Sequence, residues 1–230
     1  MLTGPHNLAS QIRAVRSRIE RAAALAGRDP ASVTLVAVSK TQPAEKVRIA
    51  ATLGVTEFAE NYVREAAEKI DGLRDLALNW HFIGAIQANK TRAIAAQFAW
   101  VHSVDRLSVA RRLSEQRPFH APALNLCVQV ALVAEANKSG VEPEELPELA
   151  AQISALPRVT LRGLMCLPPP ELEVGVQRDL FARLRRLLEG LNSEGLRLDT
   201  LSMGMSGDFE AAIAEGATHV RIGTALFGPR

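Results

Sequence analysis

From Val33 onward the chain repeats one pattern eight times: a short apolar segment of strand length, a polar turn, and an amphipathic stretch of helical period. Strict alternation of this kind demands right-handed crossovers and a parallel sheet. Eight units within 230 residues fit one closed barrel. The expected fold class is α/β, a single-domain (β/α)8 TIM barrel with an extra N-terminal helix, spanning 1–230 with no linker. The strands read as 33–39, 56–60, 80–84, 100–104, 124–130, 160–167, 200–203 and 219–223. The helices read as 43–53, 62–73, 88–98, 106–117, 143–156, 171–191 and 207–215, with a short closing turn at Ala225. Pro143, Glu144 and Glu145 suit a first helical turn, and Gly54, Gly140 and Gly216 suit helix stops.

Before the first strand, Leu8, Ile12, Val15, Ile19 and Ala22 recur at helical spacing. Arg13, Arg16, Arg18, Arg21 and Arg28 give the segment a transit-peptide flavour, but the apolar period reads as a helix docked on the core. Arg111-Arg112 and Arg185-Arg186 read as solvated helix faces. A formal net charge of +2 is too small to argue for nucleic acid or an anionic membrane. No apolar run is long enough to cross a bilayer, so a cytoplasmic protein is expected. Cys127 and Cys166 lie in apolar strands, as core filler in a reducing compartment would. No metal site is expected.

Chemistry in such a barrel gathers at the carboxyl ends of the strands. The residues there are Lys40, Glu60-Asn61, His81, Ser103, Met165-Cys166, Ser202 to Asp208, and Arg221 to Thr224. Lys40 closes the apolar run from Val33. An amine in those low-dielectric surroundings is a nucleophile toward an aldehyde, for which pyridoxal phosphate (PLP) is the natural partner; the bland reading is a lysine snorkelling to solvent. The loops after strands seven and eight suit a phosphate, with Ser206-Gly207 as a helix start and Gly223-Thr224 as the other half. Ser206 reads equally as a plain N-cap, and the helix dipole is the simpler partner for Asp208. Arg221 sits on an inner strand face and needs a partner. That partner is either a carboxylate such as Glu60 or the pyridine nitrogen of a cofactor, which Arg221 would keep unprotonated.

Several blocks in order resemble the PLP homeostasis proteins, a PLP-binding barrel family related to the alanine racemase N-terminal domain. They are Leu35 to Lys40, Glu60-Asn61-Tyr62, His81 to Gly84 with Gln87 to Lys90, His102 to Asp105, Gly163-Leu164-Met165, Leu201 to Ser206, and Arg221 to Gly228. The resemblance implies that Lys40 holds PLP as a Schiff base, Asn61 lies beside the ring, and Arg221 meets the pyridine nitrogen. It also implies that Ser206, Gly223 and Thr224 hold the phosphate with Met203 packing nearby. It implies a role in vitamin B6 and amino-acid homeostasis with no well-established turnover; PLP-dependent apoenzymes are candidate recipients, and a barrel without the racemase's partner domain is expected to stay monomeric. Two departures from the family pattern stand out: Ala85, where a larger, often polar residue is usual, and Gly207, where an acid or amide is usual.

Two enzyme readings compete. One is a racemase-like PLP enzyme with Lys40 as base and His81 as second acid. Tyr62, the single tyrosine, reads as packing. The other is a cofactor-free aldolase-type barrel. Lys138, after the fifth strand, could face the same mouth.

Overall fold

The computed structural model describes residues 5–133, 139–169 and 172–228. Lys138, Pro170 and Glu171 therefore lie outside the described residues. The elements alternate as the repeat requires: α1 (Pro5–Leu25), β1 (Thr34–Val38), α2 (Ala44–Thr52), β2 (Glu57–Glu60), α3 (Val63–Gly72), β3 (Asn79–Phe82), α4 (Thr91–Gln97), β4 (Trp100–Val104) and α5 (Leu107–Gln116). The series continues with β5 (Leu124–Gln129), α6 (Leu146–Ser154), β6 (Val159–Met165), α7 (Val174–Ser193), β7 (Thr200–Ser202), α8 (Phe209–Ala214), β8 (His219–Ile222) and α9 (Thr224–Phe227). The eight strands close into a barrel in sequence order. β1 pairs in parallel with β8, matching Val36 with Arg221, which completes the ring.

Residues two apart on a strand share a face, and that alternation sorts the core into two parts. Ala37, Phe58 and Phe82 point outward and join the large apolar layer under the helices. Val36, Val38 and Ala59 point inward and form a small cluster near the mouth, with Ile83 against it.

The N-terminal helix docks as its period requires: Leu8, Ile12, Val15, Ile19 and Ala22 are all buried. Its arginines act as pins. Arg16 donates to the carbonyls of Leu53 and Gly54, Arg18 pairs with Glu210 at 2.6 Å, and nearby Arg28 donates to the Ile213 carbonyl.

Three boundaries differ from the sequence reading for local reasons. Pro143, Glu144 and Glu145 form a turn ahead of α6, which starts at Leu146. α8 starts at Phe209, two residues after Gly207, because the Asp208 carboxylate turns back to accept the Met205 N–H at 2.5 Å and caps no helical amide. Gly54 and Gly216 do end α2 and α8 with positive φ, whereas Gly140 precedes a bridge between Val130 and Val141 and stops no described helix. Among the described residues no helix is long and apolar enough to cross a membrane.

Candidate functional site

At the carboxyl ends of the strands the mouth of the barrel opens into two adjoining lobes. The larger, about 460 Å³, is lined by Lys40, Asn61, Ser206, Arg221, Gly223 and Thr224 among others. Six residues from four strand ends, far apart in sequence, thus share one cavity. The smaller lobe, about 230 Å³, lies over β4 to β6 and carries Ser103, Asp105 and Gln129. Ile83, Ala85 and Leu167 line both lobes. The small side chain of Ala85 therefore stands where the two meet.

The backbone around Lys40 is held on both sides. Ser39 N–H continues the ladder to the Ala59 carbonyl. Lys69, 6% exposed, donates to the Ser39 carbonyl at 2.6 Å, to Glu60 Oε1 at 2.8 Å and to Glu65 Oε1 at 2.6 Å. Ser39 Oγ also donates to Glu60, at 2.6 Å. On the far side Thr41 N–H donates to Glu65 at 2.5 Å. Thr41 adopts φ +66°, a left-handed conformation that a β-branched residue takes only when its surroundings enforce it. The clamp supplies that enforcement.

Glu60 is accordingly no partner of Arg221. It shares the outward face of Phe58, and burial pushes its carboxyl pKa up, partly offset by Lys69 and Ser39. Arg221, 3% exposed, is satisfied by neutral acceptors: Ser202 Oγ at 2.7 Å and the Cys166 carbonyl at 2.9 Å. Burial lowers its pKa, with Cys166 and Asp208 opposing that shift. Asp208 is the nearby acid; burial raises its pKa while the Met205 amide and Arg221 pull it down.

Ser206 joins the last two loops, its Oγ accepting the Ala225 N–H at 3.2 Å. Gly84 is required by close approach, since a Cβ there would lie 2.2 Å from the Asn61 carbonyl oxygen. The Asn61 side-chain oxygen is buried and has no hydrogen-bond partner among the described residues.

Three expectations change. Met203 is fully buried in the apolar layer, and Met205 takes its place on the cavity wall. Tyr62 stands 59% exposed at the start of α3, outside the buried core. His81 lines neither lobe. It lies in the barrel interior, with Nδ1 2.8 Å from His102 Nε2 and Nε2 2.8 Å from Glu57 Oε2. Trp100 stacks on it and His219 abuts it. Sequence reading missed this interior polar line, although His81, His102, Ser202 and His219 all occupy inward positions on their strands. Cys127 and Cys166 are buried free thiols, pushed by burial to about 12.

The closed barrel and the cavity at its strand ends define the alanine racemase N-terminal class of barrel. The family profile described as alanine racemase, N-terminal domain, matches residues 11–230. The chain is 60% identical over 223 residues to the pyridoxal phosphate homeostasis protein of Pseudomonas aeruginosa, covering 97% of this chain and 96% of that one. It is 47% identical over 228 residues to the protein of the same name from Escherichia coli K12, covering 98% and 96%. The structure of PipY from Synechococcus elongatus PCC7942 with PLP bound superposes with a TM-score of 0.82 at 42% identity, covering 92% of this chain and all of that one. Alanine racemase from Corynebacterium glutamicum, at 18% identity and a TM-score of 0.67, shares the fold; the match covers 95% of this chain and 61% of that one. The chain belongs to the pyridoxal phosphate homeostasis family.

Proposed function

We propose that residues 1–230 form one PLP-binding domain that holds the cofactor for intracellular vitamin B6 and amino-acid homeostasis. The observation that carries this reading is the convergence of Lys40, Asn61, Arg221, Ser206, Gly223 and Thr224 on one cavity of about 460 Å³. The residues fit the group. Lys40 is the amine for the aldehyde, and Arg221 brings a positive charge that no carboxylate among the described residues hydrogen-bonds. The orphaned Asn61 oxygen awaits a donor beside the ring. Ser206 already accepts one backbone amide, so its own proton is what it offers a phosphate, next to the Gly223-Thr224 backbone. When bound, PLP supplies an aldehyde that condenses with an amine and a ring that withdraws electrons from it. An arginine at the ring nitrogen keeps that nitrogen unprotonated and weakens the withdrawal, which favours holding over turnover. The racemase-like alternative has no second acid in His81, which sits below the cavity.

The same reading makes the protein a cytoplasmic monomer that passes PLP to apoenzymes. Titration with PLP should give a yellow protein with a visible absorption band that sodium borohydride bleaches. Lys40→Ala should lose the band. A colourless wild-type protein, or a band that survives in Lys40→Ala, refutes the reading.

A further inference from the structure

Beneath the cavity a hydrogen-bonded line crosses the barrel from its amino end to its carboxyl end. Glu57 Oε2 lies 2.8 Å from His81 Nε2, and His81 Nδ1 lies 2.8 Å from His102 Nε2. His102 Nδ1 lies 2.7 Å from Ser202 Oγ, which lies 2.7 Å from Arg221 Nη1. The five residues come from β2, β3, β4, β7 and β8. Glu57 lines a groove on the opposite face of the barrel from the cavity. Four of the five are buried, and Glu57 has a side chain 19% exposed.

The end groups dictate the direction of every link. An ionised carboxylate only accepts and a guanidinium only donates. Glu57 therefore requires the proton on His81 Nε2. Burial disfavours the imidazolium of His81 and still more that of His102, which also faces His81, His219 and Arg221. With both rings neutral, His81 Nδ1 is a bare acceptor, so His102 carries its proton on Nε2 and leaves Nδ1 bare. Ser202 must then donate its single proton to His102. Its oxygen is left to face Arg221 as an acceptor only, its orientation fixed by a chain that ends on an acceptor.

We propose that Glu57, His81, His102 and Ser202 are positioning residues that orient the Arg221 guanidinium toward the ligand's ring nitrogen without a carboxylate in direct contact to neutralise it. The proposal rests on the reading of the larger lobe as the PLP site. It makes the far end of the barrel matter to the cofactor.

Two measurements test it. In ¹⁵N-histidine-labelled PLP-loaded protein near neutral pH, two-bond proton–nitrogen spectra should show His81 and His102 neutral with the proton on Nε2. A proton on Nδ1 of either ring, or an imidazolium, overturns the relay. The second compares Glu57→Leu, which removes the terminal acceptor, with Glu57→Gln, which keeps one. Glu57→Leu should weaken PLP binding roughly three- to tenfold and move the visible band, while Glu57→Gln stays within about twofold of wild type, as loss of a hydrogen bond to a charged group implies. Ser202→Ala, beside Arg221, should reproduce the Leu effect and serves if Glu57→Leu does not fold. Folded Ser202→Ala protein with wild-type affinity and band overturns the proposal. Those variants unchanged beside a wild type that binds PLP overturn the relay alone. A wild type that takes up no PLP overturns the binding reading and the relay's role together.

Discussion

Replacing Lys69 with methionine should destabilise the protein in a pH-dependent way whose sign is fixed by Glu60. The Lys69 and Glu60 side chains are 7% and 0% exposed and 2.8 Å apart. Methionine keeps the length of the stem but leaves Glu60 with a buried charge and only Ser39 as donor. Breaking a buried pair from one side costs about 3–5 kcal/mol. Burial already pushes the Glu60 carboxyl pKa up, and without Lys69 it rises further. A carboxyl whose folded pKa exceeds its unfolded value of about 4.3 holds its proton in the folded state, so its stability is kept at low pH and lost as pH climbs through the folded value. Between those two limits the loss runs at about 1.4 kcal/mol per pH unit. Urea unfolding followed by circular dichroism should therefore show Lys69→Met about 3 kcal/mol or more weaker than wild type at pH 8 and much closer to it at pH 5. Adding Glu60→Gln should recover most of the pH 8 deficit, since no unpaired charge remains. A deficit below about 1 kcal/mol at pH 8, or one equal at both pH values, would refute the reasoning.

Gly84→Ala must displace the Asn61 backbone, because the new Cβ would sit 2.2 Å from its carbonyl oxygen. Thermal melts should show a loss of about 1–3 kcal/mol, and PLP titration should show weaker binding. Acid should destabilise the fold through His219, whose pKa burial lowers to about 4. The unfolded ring takes a proton near 6.5, so stability present above that pH is lost as pH falls toward 4, by roughly 3 kcal/mol. Urea midpoints of His219→Gln between pH 7 and pH 4 should fall less steeply than those of wild type. Cys127 and Cys166, buried and pushed to about 12, should resist Ellman's reagent in the native state, and both should react on unfolding. Fast native labelling of either would contradict the packing.

The architecture was legible because the strand-to-helix repeat leaves the chain few closed solutions. The strand ends then named Lys40, Asn61, Ser206, Arg221, Gly223 and Thr224, and all six line the same lobe. Errors arose where a side chain overrode local pattern. Asp208 bonds backward to Met205, which delays α8 and leaves Ser206 tied to Ala225 rather than capping α8. Glu60 is no partner for Arg221, because strand alternation with Phe58 sends it outward to Lys69. The link from Glu57 through two histidines to Ser202 joins positions up to 145 apart, from 57 to 202, by register across the ring, and no local window contains it. Polar residues at successive inward strand positions were its one visible trace.

The central claim is that Lys40 is the amine that takes the cofactor aldehyde. Borohydride reduction of the PLP-loaded protein, followed by proteolysis and peptide mass mapping, tests it most directly. The account predicts the pyridoxyl phosphate label on the peptide containing Lys40. A label on Lys46, Lys69, Lys90 or Lys138, with Lys40 unmodified, would contradict it.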